Sequence, residues 1–394
     1  MSYLPLEGVV VLDLTRHRAG PVTSRLLGDF GATVVKIDAP ADLGDSMGGS
    51  REGFDYQNLH RNKMSLSLNL KSEEGRAVFY ELVRKADVVL ENFRPEVKHR
   101  LGVAYETVRE VNPRIVYGSI SGFGQKGPYQ TLPAVDQTIQ GMSGFMSVTG
   151  FPGQPPVRAG AAVADISAGM VLSQGVLMAL YHRERTGEGQ WVHTSLLESL
   201  VSMLDFQVVR YLSTGESPHA AGNDHPTLMP TGLFPTLDGH VNIAAAEDQK
   251  FRALCEVLGI PELAFEPLYA DTALRSVNRK GLCEILSSKT REYSSAALQQ
   301  KLNAAGIPCG PMFTIAQTME DAQMQSLRMT EEGQHPRLGT VPLLGQPLHL
   351  EGCGGRPEVR FTAPDHGEHT DRILSEWLGM EASRIKDLHR QGVV

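Results

Sequence analysis

Apolar and polar positions alternate in a rhythm that recurs along the first third of this chain. Gly8 to Leu14 (GVVVLDL) is an unbroken β-branched run, which predicts a buried strand. A turn with Gly20 and Pro21 follows, then a helix over Val22 to Phe30 closed by Gly31, then a strand over Thr33 to Ile37. Strand, short helix and strand with short joins make a βαβ unit, and hence a parallel sheet. The rhythm then repeats. Ser72 is placed to cap a helix running to Lys85, with Val78 and Leu82 on one face, and the strand Asp87 to Leu90 comes next. A helix over Tyr105 to Val111 stops at Asn112-Pro113, ahead of a strand over Arg114 to Ser119. The N-terminal third therefore reads as an open, Rossmann-like parallel α/β sheet.

Further along, Ile166 to Tyr181 reads as a helix, Trp191 to Thr194 as a strand and Leu196 to Leu212 as one long helix. Gly222 to Pro230 is loop. A strand over Gly239 to Ala244 and helices near Gln249 to Leu258, Lys280 to Ser287 and Ser295 to Ala305 predict a smaller α+β domain. The expected division is 1–222 for the large α/β domain, 223–330 for the small one, and 331–394 for a return to the first. That return ends in a helix over about Gly367 to Leu378.

Composition narrows the classes. The chain has 394 residues, is 41% hydrophobic and 21% charged, and carries a net charge of −8. An acidic balance argues against a general nucleic-acid or membrane-surface binder. Cys255, Cys283, Cys309 and Cys353 form no C-x-x-C pair and have no accompanying histidine cluster. Neither a metal site nor a disulfide framework is expected, and reduced thiols in the cytoplasm are the simplest reading. The segment MSYLPLEGVVVLDLTRH lacks the basic start of a signal peptide. The most apolar helix, Met170 to Tyr181, reads as too short to span a bilayer.

Open α/β sheets bind ligands at the carboxyl ends of their strands. Those ends here carry Thr15-Arg16-His17-Arg18, Asp38-Ala39-Pro40, Asn92-Phe93-Arg94 and Ser121-Gly122-Phe123-Gly124. No G-x-G-x-x-G follows the first strand, so a dinucleotide site is unsupported. Cations gather near these ends: Arg61, Lys63, Lys71, Arg94, Lys98 and Arg100. They fit an anionic ligand or, equally, a solvated surface. Phe93 and Arg94 could hold a ring and a phosphate, although an aromatic after a strand is also ordinary core. Arg18 could grip a carboxylate through its fork, and His17 and Asp136 are further polar candidates. Asp165 lies among small residues in AAVADISAGM, Ala161 to Met170. Small neighbours leave room for a large reactant, and a partly desolvated carboxylate is a competent nucleophile. The other reading is that Asp165 caps the helix after it.

The ordered motifs LDLT-x-x-x-AGP, GATVVKID, RNKMSLSLNLK, ADVVLENFRPE, NPRIVYGSISGFGQKGPY, D-x-x-x-Q-x-x-SG, AVADISAG, HRERTGEGQWV and GEHT are together specific. They resemble the family III CoA-transferases, the group that includes formyl-CoA transferase and carnitine CoA-transferase, with α-methylacyl-CoA racemase as a cousin. The resemblance implies a CoA-binding α/β domain, a smaller domain set apart in sequence, and an interlocked homodimer. It implies that Asp165 attacks an acyl-CoA thioester to give a mixed anhydride and then an aspartyl-CoA thioester, which an acceptor acid resolves. It places Leu68, Lys71, Asn92, Phe93, Arg94 and Arg100 around the nucleotide part of CoA. CoA thioester is then a substrate, and no cofactor or metal is implied. Arg18 falls where formyl-CoA transferase has a glutamine near the acyl group, which suits a second carboxylate on the acid, with succinyl-CoA as donor. Two departures argue against nearby activities. Val135 stands where the racemase branch has its catalytic histidine, and Gly222 to Gly232 lacks the glycine run of formyl-CoA transferase. The rivals are an acyl-CoA racemase or intramolecular CoA isomerase, and a CoA-binding protein without turnover.

Overall fold

The valine-rich start folds as expected, and everything else in the larger of two units is laid against it. In the computed structural model, which describes residues 4–41 and 50–394, the first crossover is β1 (Val10–Asp13), α1 (Ala19–Asp29) and β2 (Thr33–Asp38). The first three residues of the N-terminal segment read above lie outside the described residues. Next come α2 (Phe54–His60), β3 (Lys63–Ser67), α3 (Glu73–Val83) and β4 (Val88–Glu91), then α4 (Pro95–Arg100), α5 (Tyr105–Val111) and β5 (Val116–Ser121). The series closes with α6 (Asp136–Met142), α7 (Val163–Thr186) and β6 (Trp191–Ser195). The strands pair in the order β3-β2-β1-β4-β5-β6, all parallel. The chain starts in the middle, winds out to β3, then returns beside β1 and winds the other way. The strand order reverses between β1 and β4, which opens a crevice at their carboxyl ends.

Neighbouring side chains on a strand point to opposite faces, and both faces here are covered, so apolar side chains of the central strands are buried on each side. Leu12, Val35 and Val89 pack with Phe79, Leu82 and Val108 on one face. Val11, Val34 and Val88 pack with Leu27, Leu172 and Val176 on the other. Residues Ile373, Leu374, Ile385 and Leu388 complete the first layer from the C-terminal return. The final helix expected over Gly367 to Leu378 is instead a short turn at Thr370–Arg372 running into a π turn at Ile373–Trp377, and a helix at Ala382–Arg390 follows.

The chain divides into two units. One is Met1–Phe145, Ala159–Val209 and Leu327–Val394, and the other is Met146–Arg158 and Arg210–Ser326. The boundary expected at 222 falls earlier, and the excursion Met146–Arg158 joins the smaller unit, where the Gly222 amide donates to Gly150 O at 2.8 Å. The helix read as continuous from Leu196 to Leu212 is two, α8 (Leu196–Met203) and α9 (Phe206–Thr214), parted at Asp205 with φ 39°. The smaller unit holds an antiparallel sheet of residues Thr231–Pro235, His240–Ala244 and Cys309–Pro311. Its own core contains Phe234, Ile243, Phe251, Leu254, Leu282 and Leu298.

α7 is longer than the sequence suggested. At 24 residues it is long and apolar enough, by length and composition, to cross a membrane, which corrects the shorter reading. Half of its apolar window is buried in the unit, with Ala164, Ala168, Leu172 and Val176 in the core. Its small residues also have a different use from the expected one: they let α7 lie against α1. A Cβ on Gly169 would stand 2.6 Å from Ala19 O and 2.7 Å from the Val22 side chain. Thr23 Oγ1 donates to Gly169 O at 2.9 Å across the same contact. Gly169→Val should therefore destabilise the protein by about 1–3 kcal/mol. A urea titration would read this as a lower midpoint at unchanged slope.

Candidate active site

The crevice at the β1/β4 reversal is laced shut at its base by side chains bonded to backbone. Asn92, just after β4, accepts from Arg16 N at 2.9 Å and donates to Arg16 O at 2.8 Å, so the ends of β1 and β4 are held in register. His17 follows with φ 62°, a left-handed turn that brings the chain round into α1. Arg18 is the residue before the first turn of that helix. The turn glycine Gly20 is closely packed: its missing Cβ leaves room for Thr15, 2.2 Å from where a Cβ would lie.

Asp165 enters this site from α7. It is the third residue of that helix, after Val163 and Ala164, and the capping position belongs to Ala162, whose side chain makes no capping bond. The capping reading of Asp165 is thus corrected. Its place is taken from outside the helix: Asp136, at the start of α6, accepts the Ala164 amide on Oδ1 at 2.9 Å. Asp136 Oδ2 accepts from Gln140 Nε2 at 2.7 Å, and Gln140 Oε1 accepts from Ala159 N at 2.8 Å. Asp136 is buried and committed to this network, so its expected contact with substrate is replaced by a structural one.

With the cap supplied, the Asp165 carboxylate makes no hydrogen bond or ion pair among the described residues. Burial pushes its pKa up to about 6, the nearby Asp136 charge adds to the rise, and Arg18 opposes it. A carboxylate raised in this way is mostly ionised at neutral pH yet poorly solvated, which favours nucleophilic attack. Arg18 is itself half-exposed and paired with Asp55 on α2 through Nη2 and Oδ2 at 2.7 Å.

The other expected residues separate into two groups. Lys71, after β3, and Arg94 and Arg100, which flank α4, are exposed. Phe93 is partly buried, with the Arg16 guanidinium 6.0 Å from its ring centre. Arg61 and Lys63 are corrected: both are buried and spent on ion pairs inside the fold, Arg61 with Asp29 at 2.8 Å and Lys63 with Asp13 at 3.1 Å. Lys98 is likewise buried against Glu91 at 3.1 Å. The Leu68 side chain lies in the core, which leaves only its backbone for a ligand, and the Asn92 side chain is occupied with Arg16. His17 is exposed. Sequence reading missed two residues, Asp55 and Gln140. The spacing of Asp136 and Gln140, one helical turn, was the available signal for the second; no local pattern pointed to the first.

Among the described residues no group of three or more His, Cys, Asp or Glu side chains is placed to hold a metal ion. Burial pushes the Cys283 and Cys309 thiols up to about 11 and the Cys255 thiol to about 12, so none of these three offers a thiolate at neutral pH.

Residues 6–370 match CoA-transferase family III, and the chain belongs to that family. It is 36% identical over 385 residues to the acetyl-CoA:oxalate CoA-transferase of Acetobacter aceti, covering 96% of this chain and 97% of that protein. It is 36% identical over 390 residues to the succinate–glutarate CoA-transferase of Agrobacterium fabrum, covering 94% and 95%. Among solved structures, a CAIB/BAIF family protein from Brucella suis superposes with a TM-score of 0.82 at 33% identity, covering 94% of this chain and 99% of that one. The protein is accordingly an enzyme of the CoA-transferase type.

A carboxyl whose folded pKa lies above its unfolded value stabilises the protein at low pH and costs stability as pH rises through the folded value. For Asp165 that window runs from 3.8 to about 6. Asp165→Asn should therefore raise stability at pH 8, on the order of 1–3 kcal/mol after solvent screening. The gain should shrink between pH 6 and pH 4, and thermal melts across that range would check it.

Proposed function

We propose that this protein transfers CoA from an acyl-CoA donor to a small dicarboxylic acid, with Asp165 as the nucleophile. The observation that supports this best is the Asp165 carboxylate: partly buried, raised to about 6, and left without a partner because Asp136 performs the capping. Asp165 attacks the thioester carbonyl carbon, the C–S bond breaks, and CoA leaves as thiolate from an aspartyl mixed anhydride. The thiolate then attacks the aspartyl carbonyl and expels the donor acid as carboxylate, giving aspartyl-CoA thioester. The acceptor carboxylate repeats the two steps in reverse. Each step is acyl exchange between carboxylate and thiol, so charge and atoms balance without an added reagent.

CoA is expected to lie along the strand ends. From the end of β3, with Lys71, to the end of β4, with Arg94, is three strand spacings, about 14 Å. That is a span over which exposed cations can meet successive phosphates of one extended ligand. Arg18 would meet the second carboxylate of the acid, in keeping with the oxalate and glutarate named for the two relatives. The outer face of α7, with Met170, Leu177, Met178 and Tyr181 exposed, is an apolar surface suited to a second copy of the chain. An interlocked homodimer is the arrangement we propose for it.

Incubation with succinyl-CoA followed by hydroxylamine should yield a hydroxamate on the peptide containing Asp165 and on no other. Asp165→Ala should lose transfer by at least about 1000-fold, in line with removal of a covalent nucleophile. Transfer surviving in that variant, or label on a different peptide, would end the proposal. Separately, Arg18→Gln should lower kcat/KM for glutarate by about 10-fold or more while leaving a monocarboxylic acid of the same length little changed, as expected for loss of a charge-assisted contact. Steady-state kinetics with paired acids would read the difference.

A further inference from the structure

Arg18 makes one side-chain hydrogen bond among the described residues, from Nη2 to Asp55 Oδ2. Among the described residues its Nε and Nη1 donors have no partner, and both members of the pair are open to solvent, at 34% and 46% exposure. Asp55 lies in the first turn of α2, where a carboxylate is favoured by the helix dipole. The helix that bears it is well anchored. Gln57 donates to Arg51 O at 2.8 Å, and the Arg61–Asp29 pair, joined by Asn58 Oδ1 at 2.9 Å, holds its other end to α1. A fixed carboxylate therefore stands against the one cation that acts on the Asp165 nucleophile.

Such a pair is weak in solvent, worth only a fraction of a strong buried bond, and exchanges readily for another carboxylate. A monocarboxylic acid spends its only carboxylate in the acyl exchange and has nothing to trade for Asp55. A dicarboxylic acid brings a second one. We propose that Asp55 is a specificity-determining positioning residue: it competes with the acid's second carboxylate for the Arg18 guanidinium, and so sets how strongly dicarboxylic acids are retained. This inference rests on the CoA-transfer reading above. Selection by a resident competitor is a form of discrimination by repulsion, since an incoming acid that cannot displace Asp55 meets a neutralised cation.

The charged groups around Asp165 are Asp136 from α6 and Arg18 from the turn before α1, with Asp55 of α2 behind Arg18. Removing the Asp55 charge leaves Arg18 unopposed. Its pull on an anion strengthens, and so does its stabilisation of ionised Asp165. Two readouts follow, and a loss of fold would move neither in this direction.

The test uses the full chain with saturating succinyl-CoA as donor and either glutarate or valerate as acceptor. Asp55→Asn should lower KM for glutarate by about 2–5-fold, the range an exposed ion pair can supply, with KM for valerate unchanged. The acidic limb of the kcat/KM profile should move to lower pH. In an Arg18→Gln background, Asp55→Asn should have no further effect on the glutarate-to-valerate ratio, because the competitor acts through that guanidinium. A glutarate KM that stays the same or rises in Asp55→Asn, or an effect that persists without Arg18, overturns the inference. Failure of the parent reading looks different: Asp165→Ala would keep transferring CoA, whatever Asp55 does.

Discussion

One borrowed hydrogen bond governs the chemistry available to this fold. Helices begin with amides that need acceptors, and the ordinary solution is a capping side chain just before the first turn. In α7 that position is an alanine, and the acceptor arrives instead from Asp136 on a different helix. Gln140 holds Asp136 in place and ties the incoming segment at Ala159 to the same point. The carboxylate three places into α7 is then relieved of any architectural duty. Burial without a partner is normally a cost to a folded protein; at Asp165 it raises the pKa to about 6. The same neighbour that caps the helix also raises the Asp165 pKa by its charge, so one residue sets both the helix start and the electrostatics beside it.

The sheet explains why that carboxylate lies within the field of the Arg18 charge. Parallel strands need crossovers, and a chain that begins in the middle must reverse its winding somewhere. The reversal falls between β1 and β4, so the loops after those strands diverge to opposite faces and leave a gap. α7 packs on α1 closely enough that a glycine is needed at their crossing, and this brings its first turn beside the β1–α1 turn. Within AAVADISAGM, Gly169 serves that helix contact.

Much of this was legible in the sequence. The strands β1, β2 and β4 are valine-rich runs, β5 and β6 were also expected as strands, and α5 ends at its Asn-Pro as expected. β3 was hidden because its buried face includes Lys63, Ser65 and Ser67, whose polar groups find partners far away in the chain. Lys63 meets Asp13, and the Ser65 hydroxyl accepts from Gly367 N at 2.9 Å. That also accounts for the misplacement of Arg61 and Lys63 among ligand-binding cations: a sequence shows a charge but not its distant counter-ion. Asp165 stood out in the sequence as a carboxylate among small residues, but its lack of a partner did not, since that depends on an acceptor 29 positions earlier in the chain, read from Asp136 to Asp165. The break at Asp205 and the placing of Met146–Arg158 with the smaller unit had no local signature.

The C-terminal return has a consequence for how the chain comes to be folded. All six strands are made by Ser195, yet one layer over them is finished only by Ile373, Leu374, Ile385 and Leu388. The last stitch is the Asn69 amide donating to Val393 O at 2.8 Å, which joins residues more than three hundred apart. During synthesis the sheet must wait, one side incompletely clothed, while the whole smaller unit is produced and set aside. A ribosome stalled anywhere in that interval would hold out an apolar surface, and such a nascent chain is a natural client for a chaperone that binds exposed hydrophobic segments.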